Sequence, residues 1–398
     1  MARILQCWEL GDGYAYLDGS TAGARVLKAA GYEVALAYRD LKHAERVVGT
    51  DFELFQAPTP QAGLYTQVRQ PMTFADQLIN VDYGDTEHML GRLRAWRTLI
   101  KRFAPDVLRV LHSPGALLAS RGLGIPTVVT GTGFLIPPPA APLPNLRPWA
   151  KHADVEAMRA RETNVLDAMN RALERLGAPL LTRIADLYQV DVQELYTFPE
   201  MDEYGPRNDV EYMGVYQPES GAAPQWPARG SRRVFVYLDP FEHLPDLLRI
   251  LKQSDCSTLA FIPQLPLAVQ RELTADNLAF ADKPLNMFET TRQCDFGITH
   301  SGHNIAITLL LAGKPQFVLP LRLPERISAE NVLRLGAGLM FAPEADPLKA
   351  GLDQMQRDGT LLAAKAQEFA ARQPDCSRAV IDRRRVQHIE KLIGKTAL

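Results

Sequence analysis

Short apolar runs alternate with helix-compatible segments in this chain, first from residue 4 and again from residue 234, and this restricts the fold more than any other feature. Ile4 to Trp8 reads as a strand, Thr21 to Ala30 suits a helix that stops at Gly31, and Tyr32 to Tyr38 reads as the next strand. Parallel strands need crossovers of this kind, because a tight turn joins only antiparallel neighbours. The pattern continues with a helix from Glu87 to Phe103 and strands from Val107 to Leu111 and from Pro126 to Thr130. A helix from Asp154 to Leu176 and a last strand from Glu194 to Phe198 complete the first half. The segment opened by Gly131-Thr132-Gly133 carries Pro137, Pro138, Pro139, Pro142, Pro144 and Pro148, too much proline for a helix or a central strand. It is either a surface excursion or a wall of a binding cleft.

Gly205 to Ser231 is rich in glycine and proline and reads as a linker. Beyond it strands are expected at Val234 to Leu238, Thr258 to Ile262, Phe296 to Thr299 and Gln316 to Leu319. Helices are expected at Leu244 to Lys252, His303 to Leu311 and Ala329 to Leu335. A length of 398 residues accommodates two such lobes. The 46 acidic and 44 basic side chains nearly cancel, which disfavours binding to nucleic acid or an anionic membrane. Arg383-Arg384-Arg385 reads as a solvated helix face. Cys7, Cys256, Cys294 and Cys376 are scattered, without a disulfide framework, and fit a reducing cytoplasm. The start lacks the features of a signal peptide, and no apolar run is long enough to span a bilayer.

Thr299-His300-Ser301-Gly302-His303-Asn304 lies directly between an expected strand and an expected helix. The first amides of a helix lack intrahelical partners and the dipole there favours negative charge, so this turn is a candidate phosphate seat. Gly302 permits close approach, Ser301 can add a hydroxyl, His300 can donate a ring N–H, and Asn304 can cap the helix or reach a ligand. Alternatively, Ser301 and Asn304 only cap, and His300 and His303 are locally satisfied donors. Isolated strings of this length also arise by chance.

The C-terminal half supplies further matching segments: Leu311-Ala312-Gly313-Lys314-Pro315, Val318-Leu319-Pro320 and Leu335-Gly336-Ala337-Gly338-Leu339. Together with the Thr299 to Asn304 turn, they resemble the donor-binding region of nucleotide-sugar glycosyltransferases of the GT-B type. Ile4-Leu5 with Trp8-Glu9-Leu10-Gly11-Asp12-Gly13, and Gly131-Thr132-Gly133-Phe134, are similar to bacterial members. The resemblance implies an α/β fold of two Rossmann-like domains facing each other across a cleft. Residues 1–204 would bind the acceptor, 205–231 would link, 232–378 would bind the sugar nucleotide, and 379–398 would form a helix crossing back. It also implies an inverting transfer from a UDP- or dTDP-linked sugar, without metal or other cofactor, to an acceptor that is a small molecule, lipid, glycan or protein.

Carried over by position, His300, Ser301, Gly302, His303 and Asn304 would bind the donor diphosphate, and Glu325, about one residue out of register, would meet the sugar hydroxyls or else be a solvated loop glutamate. The loop of Gly11 and Gly13, with Tyr16, would face the acceptor; His112, which ends a strand, either touches the acceptor or is a packed polar core histidine, and Phe134 either lines an acceptor pocket or only packs. Trp149 is a further candidate for that pocket, although aromatics near prolines commonly just pack. Two departures stand out. Where relatives carry a basic histidine this chain has Tyr16, a poor base at neutral pH. Asp18 or Asp12 would replace it, unless they serve as a helix cap and a turn former. Thr308 stands where relatives carry a glutamate for the ribose. These departures also suit a catalytically silent protein that activates or scaffolds a partner enzyme, and a sugar-nucleotide epimerase is a further alternative.

Overall fold

The computed structural model describes residues 1–11, 14–60, 67–151, 153–215, 220–341 and 348–396. The chain forms two compact units: Met1–Thr197, Tyr204–Gly214 and Ala379–Leu398 in one, Phe198–Glu203 and Val215–Arg378 in the other. The first contains β1 (Arg3–Trp8), β2 (Glu33–Tyr38), β3 (Glu53–Gln56), β4 (Val107–Leu111), β5 (Thr127–Gly131), β6 (Val192–Leu195) and β7 (Glu211–Tyr212). They pair in parallel in the order β3-β2-β1-β4-β5-β6-β7. The second contains β8 (Arg232–Tyr237), β9 (Cys256–Phe261), β10 (Leu278–Phe280), β11 (Phe296–Thr299), β12 (Gln316–Val318) and β13 (Gly338–Met340). Their order is β10-β9-β8-β11-β12-β13, again parallel.

Both sheets are buried on both faces, as parallel sheets must be. Along β1, Leu5 and Cys7 enter one apolar cluster while Ile4 and Trp8 enter another, as a two-residue strand period requires. The helix Thr86–Phe103 meets the Leu5 side with Met89, Leu93, Trp96, Ile100 and Phe103, a stripe at helical spacing. Asp85 caps its start by accepting the His88 amide, and Ala104, in the left-handed region at φ 50°, ends it.

Several boundaries differ from the sequence reading for local reasons. The helix expected from Ala329 begins at Leu323, because Pro324 occupies the first turn, where its missing N–H costs nothing, and Glu325 bonds the preceding amides. The helix expected from Thr21 begins at Tyr14. The strand expected through Phe198 ends at Leu195, and the proposed linker contains β7, paired with β6. The proline-rich segment buries Leu135, Ile136, Leu143 and Leu146, so it is packed as well as exposed. No described helix is long and apolar enough to cross a membrane, and all four cysteines are free.

Strand order reverses between β1 and β4 and again between β8 and β11. At such switch points neighbouring loops leave toward opposite faces and open a crevice at the carboxyl edge of the sheet. In the first unit the parting loops are tied together. Leu10 N donates to His112 O at 2.9 Å, and the buried Glu9 carboxylate accepts from Tyr83 Oη at 2.6 Å, Gly115 N at 2.7 Å and Ser113 Oγ at 3.1 Å. Burial pushes the Glu9 pKa up, against these donors and nearby Arg92. A Cβ on Gly115 would lie 2.6 Å from Glu9 Oε2.

The terminal helix Arg378–Thr396 packs Ile389 and Leu392 against the Ile4 side of the first sheet. The basic run within it is only in part the solvated face expected: Arg383 is exposed, but Arg385 is only 6% exposed and donates to Tyr196 Oη, while Arg384 donates to Tyr212 O and Glu211. These contacts belong to a buried polar row. Gln6 of β1 accepts from Arg109 of β4, Arg109 meets Glu194 of β6, and His388 reaches Glu194 at 2.8 Å and Glu211 at 3.1 Å. The hydrogen bond to Glu194 raises the His388 pKa, burial opposes it, and the charges of Glu194 and Glu211 add to the rise.

Two outcomes follow from these contacts. Gly115→Ala is expected to cost about 1–3 kcal/mol in chemical unfolding, because the Cβ has no room beside Glu9; an unchanged midpoint would contradict the packing. A histidine whose folded pKa lies above its unfolded value stabilises fully below the unfolded value, about 6.5, and loses that contribution as pH rises through the folded one. His388→Leu should therefore cost about 1–3 kcal/mol near pH 6 and clearly less near pH 9. A penalty independent of pH would show that His388 contributes packing alone.

Candidate functional site

In the second unit the loops that part at the β8/β11 switch point are Leu238 to His243 and His300 to Gly302. His300, only 6% exposed, braces them. Its Nδ1 lies 2.6 Å from Leu319 O, after β12, and its Nε2 lies 3.1 Å from Asp239 O, after β8. The protonated ring donates to both carbonyls and the neutral ring to one. Phe241 meets the ring edge to face at 5.7 Å. His300 is thus a strut between the strands flanking β11, and both its nitrogens face carbonyls of the protein.

Ser301 turns the chain through the left-handed region at φ 61°, uncommon for a residue other than glycine. Its amide donates to Thr299 Oγ1 at 3.0 Å, and its fully buried hydroxyl donates to Ser328 Oγ at 3.3 Å. The expected extra hydroxyl at the helix start is therefore turned inward. Gly302 is the N-cap of the helix His303–Leu311 and offers no capping side chain. Ala306 N closes the first turn on Gly302 O at 3.0 Å, and the amides of the opening turn are left without a side-chain cap. The helix is anchored by Ala306, Ile307, Leu309 and Leu310, all buried. A Cβ on Gly302 would meet only Ile305 Cγ2, at 3.7 Å, so the protein leaves this position open.

His303 opens the helix with Nδ1 3.3 Å from the Glu203 carboxylate. Glu203 was not legible in the sequence, because it reaches the site from a segment Phe198–Glu203 that precedes the second unit's sheet. Asn304 is exposed, and its carbonyl accepts from Thr308 Oγ1 at 2.8 Å. Thr308 is buried and bonds its own helix, which accounts for a threonine there without a ligand. Glu325 does not present a free carboxylate to a sugar: Oε2 accepts from the Leu321 and Arg322 amides, each at 2.9 Å, and Oε1 from Arg322 Nε at 2.8 Å. Such reciprocal capping at a helix start has a recognisable spacing, and the carboxylate three residues after Arg322 carried it.

In the first unit, Gly11 adopts φ 81°, a conformation that favours glycine. Asp12 and Gly13 lie outside the described residues, as does the side chain of Tyr16. Asp18 is exposed within the helix Tyr14–Ala29, beyond its first turn, so it is not the N-cap. Phe134 packs partly buried against the first unit's core, and Trp149 is half-buried. His112 follows β4 at φ 43°, and its Nδ1 is buried without a hydrogen-bond partner. Burial depresses its pKa to about 4, against an opposing interaction with the Leu10 backbone and with a smaller contribution from the charge of Arg39, so the ring is neutral at pH 7. A non-glycine residue in this conformation with an unmatched buried nitrogen marks a site under constraint. Among the described residues no group of three or more His, Cys, Asp or Glu is placed to hold a metal ion.

No family model and no curated protein matches the chain. Solved structures do. The glycotransferase of kitacinnamycin is 18% identical, with 98% of each chain covered and a TM-score of 0.69. CalG4, the calicheamicin glycosyltransferase, is 16% identical over 100% of this chain and 99% of its own, at a TM-score of 0.70. The glycosyltransferase VinC, solved in complex with dTDP, is 15% identical over 98% and 100%, at a TM-score of 0.64. Likeness at such identities establishes architecture: this chain has the GT-B fold, with two Rossmann-like units built on parallel sheets of seven and six strands.

Proposed function

We propose that this protein is a glycosyltransferase that takes a sugar from a nucleoside diphosphate, UDP- or dTDP-linked, and passes it to an acceptor hydroxyl with inversion. The observation that carries this reading is the helix start after β11: uncapped amides at a switch point, held by buried residues, with open space over Gly302. Relatives in fold solved with thymidine diphosphate support a nucleotide donor.

In the proposed reaction the acceptor oxygen forms a bond to the sugar's anomeric carbon while the bond to the diphosphate oxygen breaks. The electron pair of that bond leaves with the diphosphate, and negative charge grows there in the transition state. Amides already fixed at the helix start stabilise that charge without reorganising, and the helix dipole acts in the same sense. The acceptor's proton passes to a carboxylate, assigned to Asp18 or Asp12. His300 holds the β8 and β12 loops in place around the amides and acts here as a positioning residue.

Thymidine or uridine diphosphate at about 100 times its dissociation constant should stabilise the folded chain by about 2.7 kcal/mol, seen as a raised melting temperature. Gly302→Val should weaken binding about tenfold or more, since a charge-assisted hydrogen bond contributes about 1.5–3 kcal/mol. Stability should be retained, because φ −53° and ψ 139° suit any residue. Undiminished nucleotide binding by Gly302→Val would remove the helix start from the site, and absence of binding to either nucleotide would contradict the reading as a whole.

A further inference from the structure

The seat at the start of helix His303–Leu311 is short of positive charge. Helix amides and dipole amount to about half an elementary charge, whereas a nucleoside diphosphate is multiply charged at neutral pH. The two loops beside β11 differ in this respect. Leu238 to His243, after β8, contains Asp239 and Glu242 and neither lysine nor arginine, while Leu319 to Arg322, after β12, ends in an arginine.

Arg322 is held in a defined orientation. Its Nε donates to Glu325 Oε1 at 2.8 Å and its Nη2 to Asp239 Oδ2 at 2.7 Å. Glu325 is itself fixed by the Leu321 and Arg322 amides, so the guanidinium fork is anchored at its base. The side chain nevertheless remains 64% exposed, and Nη1 takes part in neither bond. Asp239 joins this cation to the candidate seat. Its carbonyl lies 3.1 Å from His300 Nε2 and its carboxylate accepts from Arg322, so one residue connects the guanidinium to the turn that starts the helix.

We propose that Arg322 is the cationic ligand of the donor diphosphate, and that the Asp239 carboxylate holds its place until the diphosphate displaces it. This rests on the reading of the helix start as a nucleotide-diphosphate seat. The exchange is favoured on three counts. The pair being broken is solvent-exposed, at 64% and 47%, and such pairs are weak and screened by salt. A guanidinium fork matches phosphate oxygens bidentately, which a single carboxylate contact does not exploit. Glu325 keeps Nε through the exchange, so the arginine turns little, and Asp239 remains attached through its main chain to His300.

Calorimetric titration of the full chain with thymidine diphosphate at low and high salt tests this. Asp239→Asn removes the competing carboxylate and should tighten binding about threefold. Arg322→Gln should weaken it about tenfold and flatten its salt dependence; Arg322→Lys should fall between. A gain of affinity in Asp239→Asn does not arise from misfolding, which protects the test from a damaged α-helix start in the arginine variants. Unchanged or weaker binding by Asp239→Asn, or undiminished binding by Arg322→Gln, overturns the assignment while leaving the seat itself standing. Failure of the unsubstituted chain to bind thymidine diphosphate removes the seat, and the assignment with it.

Discussion

A helix that begins immediately behind a buried strand presents backbone N–H groups that have no partner within the helix, and a fold must either cap them or leave them for something else. Helix His303–Leu311 leaves them. Its N-cap is a glycine without a side chain, the preceding serine has its hydroxyl turned toward Ser328, and the asparagine that follows is exposed. Everything else at this edge of the second sheet can be understood as keeping that turn in place. His300 spans from Leu319 to Asp239, Ser301 accepts a left-handed conformation, and the helix is anchored by an apolar interior.

The two units solve the same mechanical problem with different chemistry. A sheet whose strand order reverses has loops that part at the reversal, and parted loops need a tie if they are to hold a ligand in one geometry. In the second unit the tie is an imidazole between two carbonyls. In the first it is a buried carboxylate, Glu9, gathering a phenol, a hydroxyl and an amide, with Gly115 bare so that the carboxylate fits. The first unit also buries a polar row that fastens the terminal helix, from Gln6 through Arg109 and Glu194 to His388. Buried charges of this kind are weak sources of stability but strict about geometry.

The parallel architecture was legible because crossover helices and fully buried strands leave a strong periodic signal, and β1, β4, β8 and β11 lie close to where apolar runs place them. The short strands β3 and β10 and the long helix Leu348–Arg372 were not read: Glu53–Gln56 and the helix mix polar and apolar residues, and Leu278–Phe280 is a run of three, too short for a periodic signal. At the site, the strand–turn–helix placement of His300 to Asn304 was visible, but side-chain direction was not. Ser301 and Glu325 are residue types that serve ligands and helix starts equally well, and here both serve the protein's own backbone and side chains. Glu203, Asp239 and Glu9 escaped notice because each acts on residues far along the chain, a relation that spacing does not encode.

The central claim is that a diphosphate occupies the amides of the turn behind β11. Amide proton and nitrogen resonances of Gly302, His303 and Asn304, followed while thymidine diphosphate is added, report on this directly. Saturable shifts concentrated at these three amides, with the proton resonances moving as expected for new hydrogen bonds to an anion, are the result predicted. Shifts confined to other parts of the chain, with these three unmoved at saturation, would contradict it.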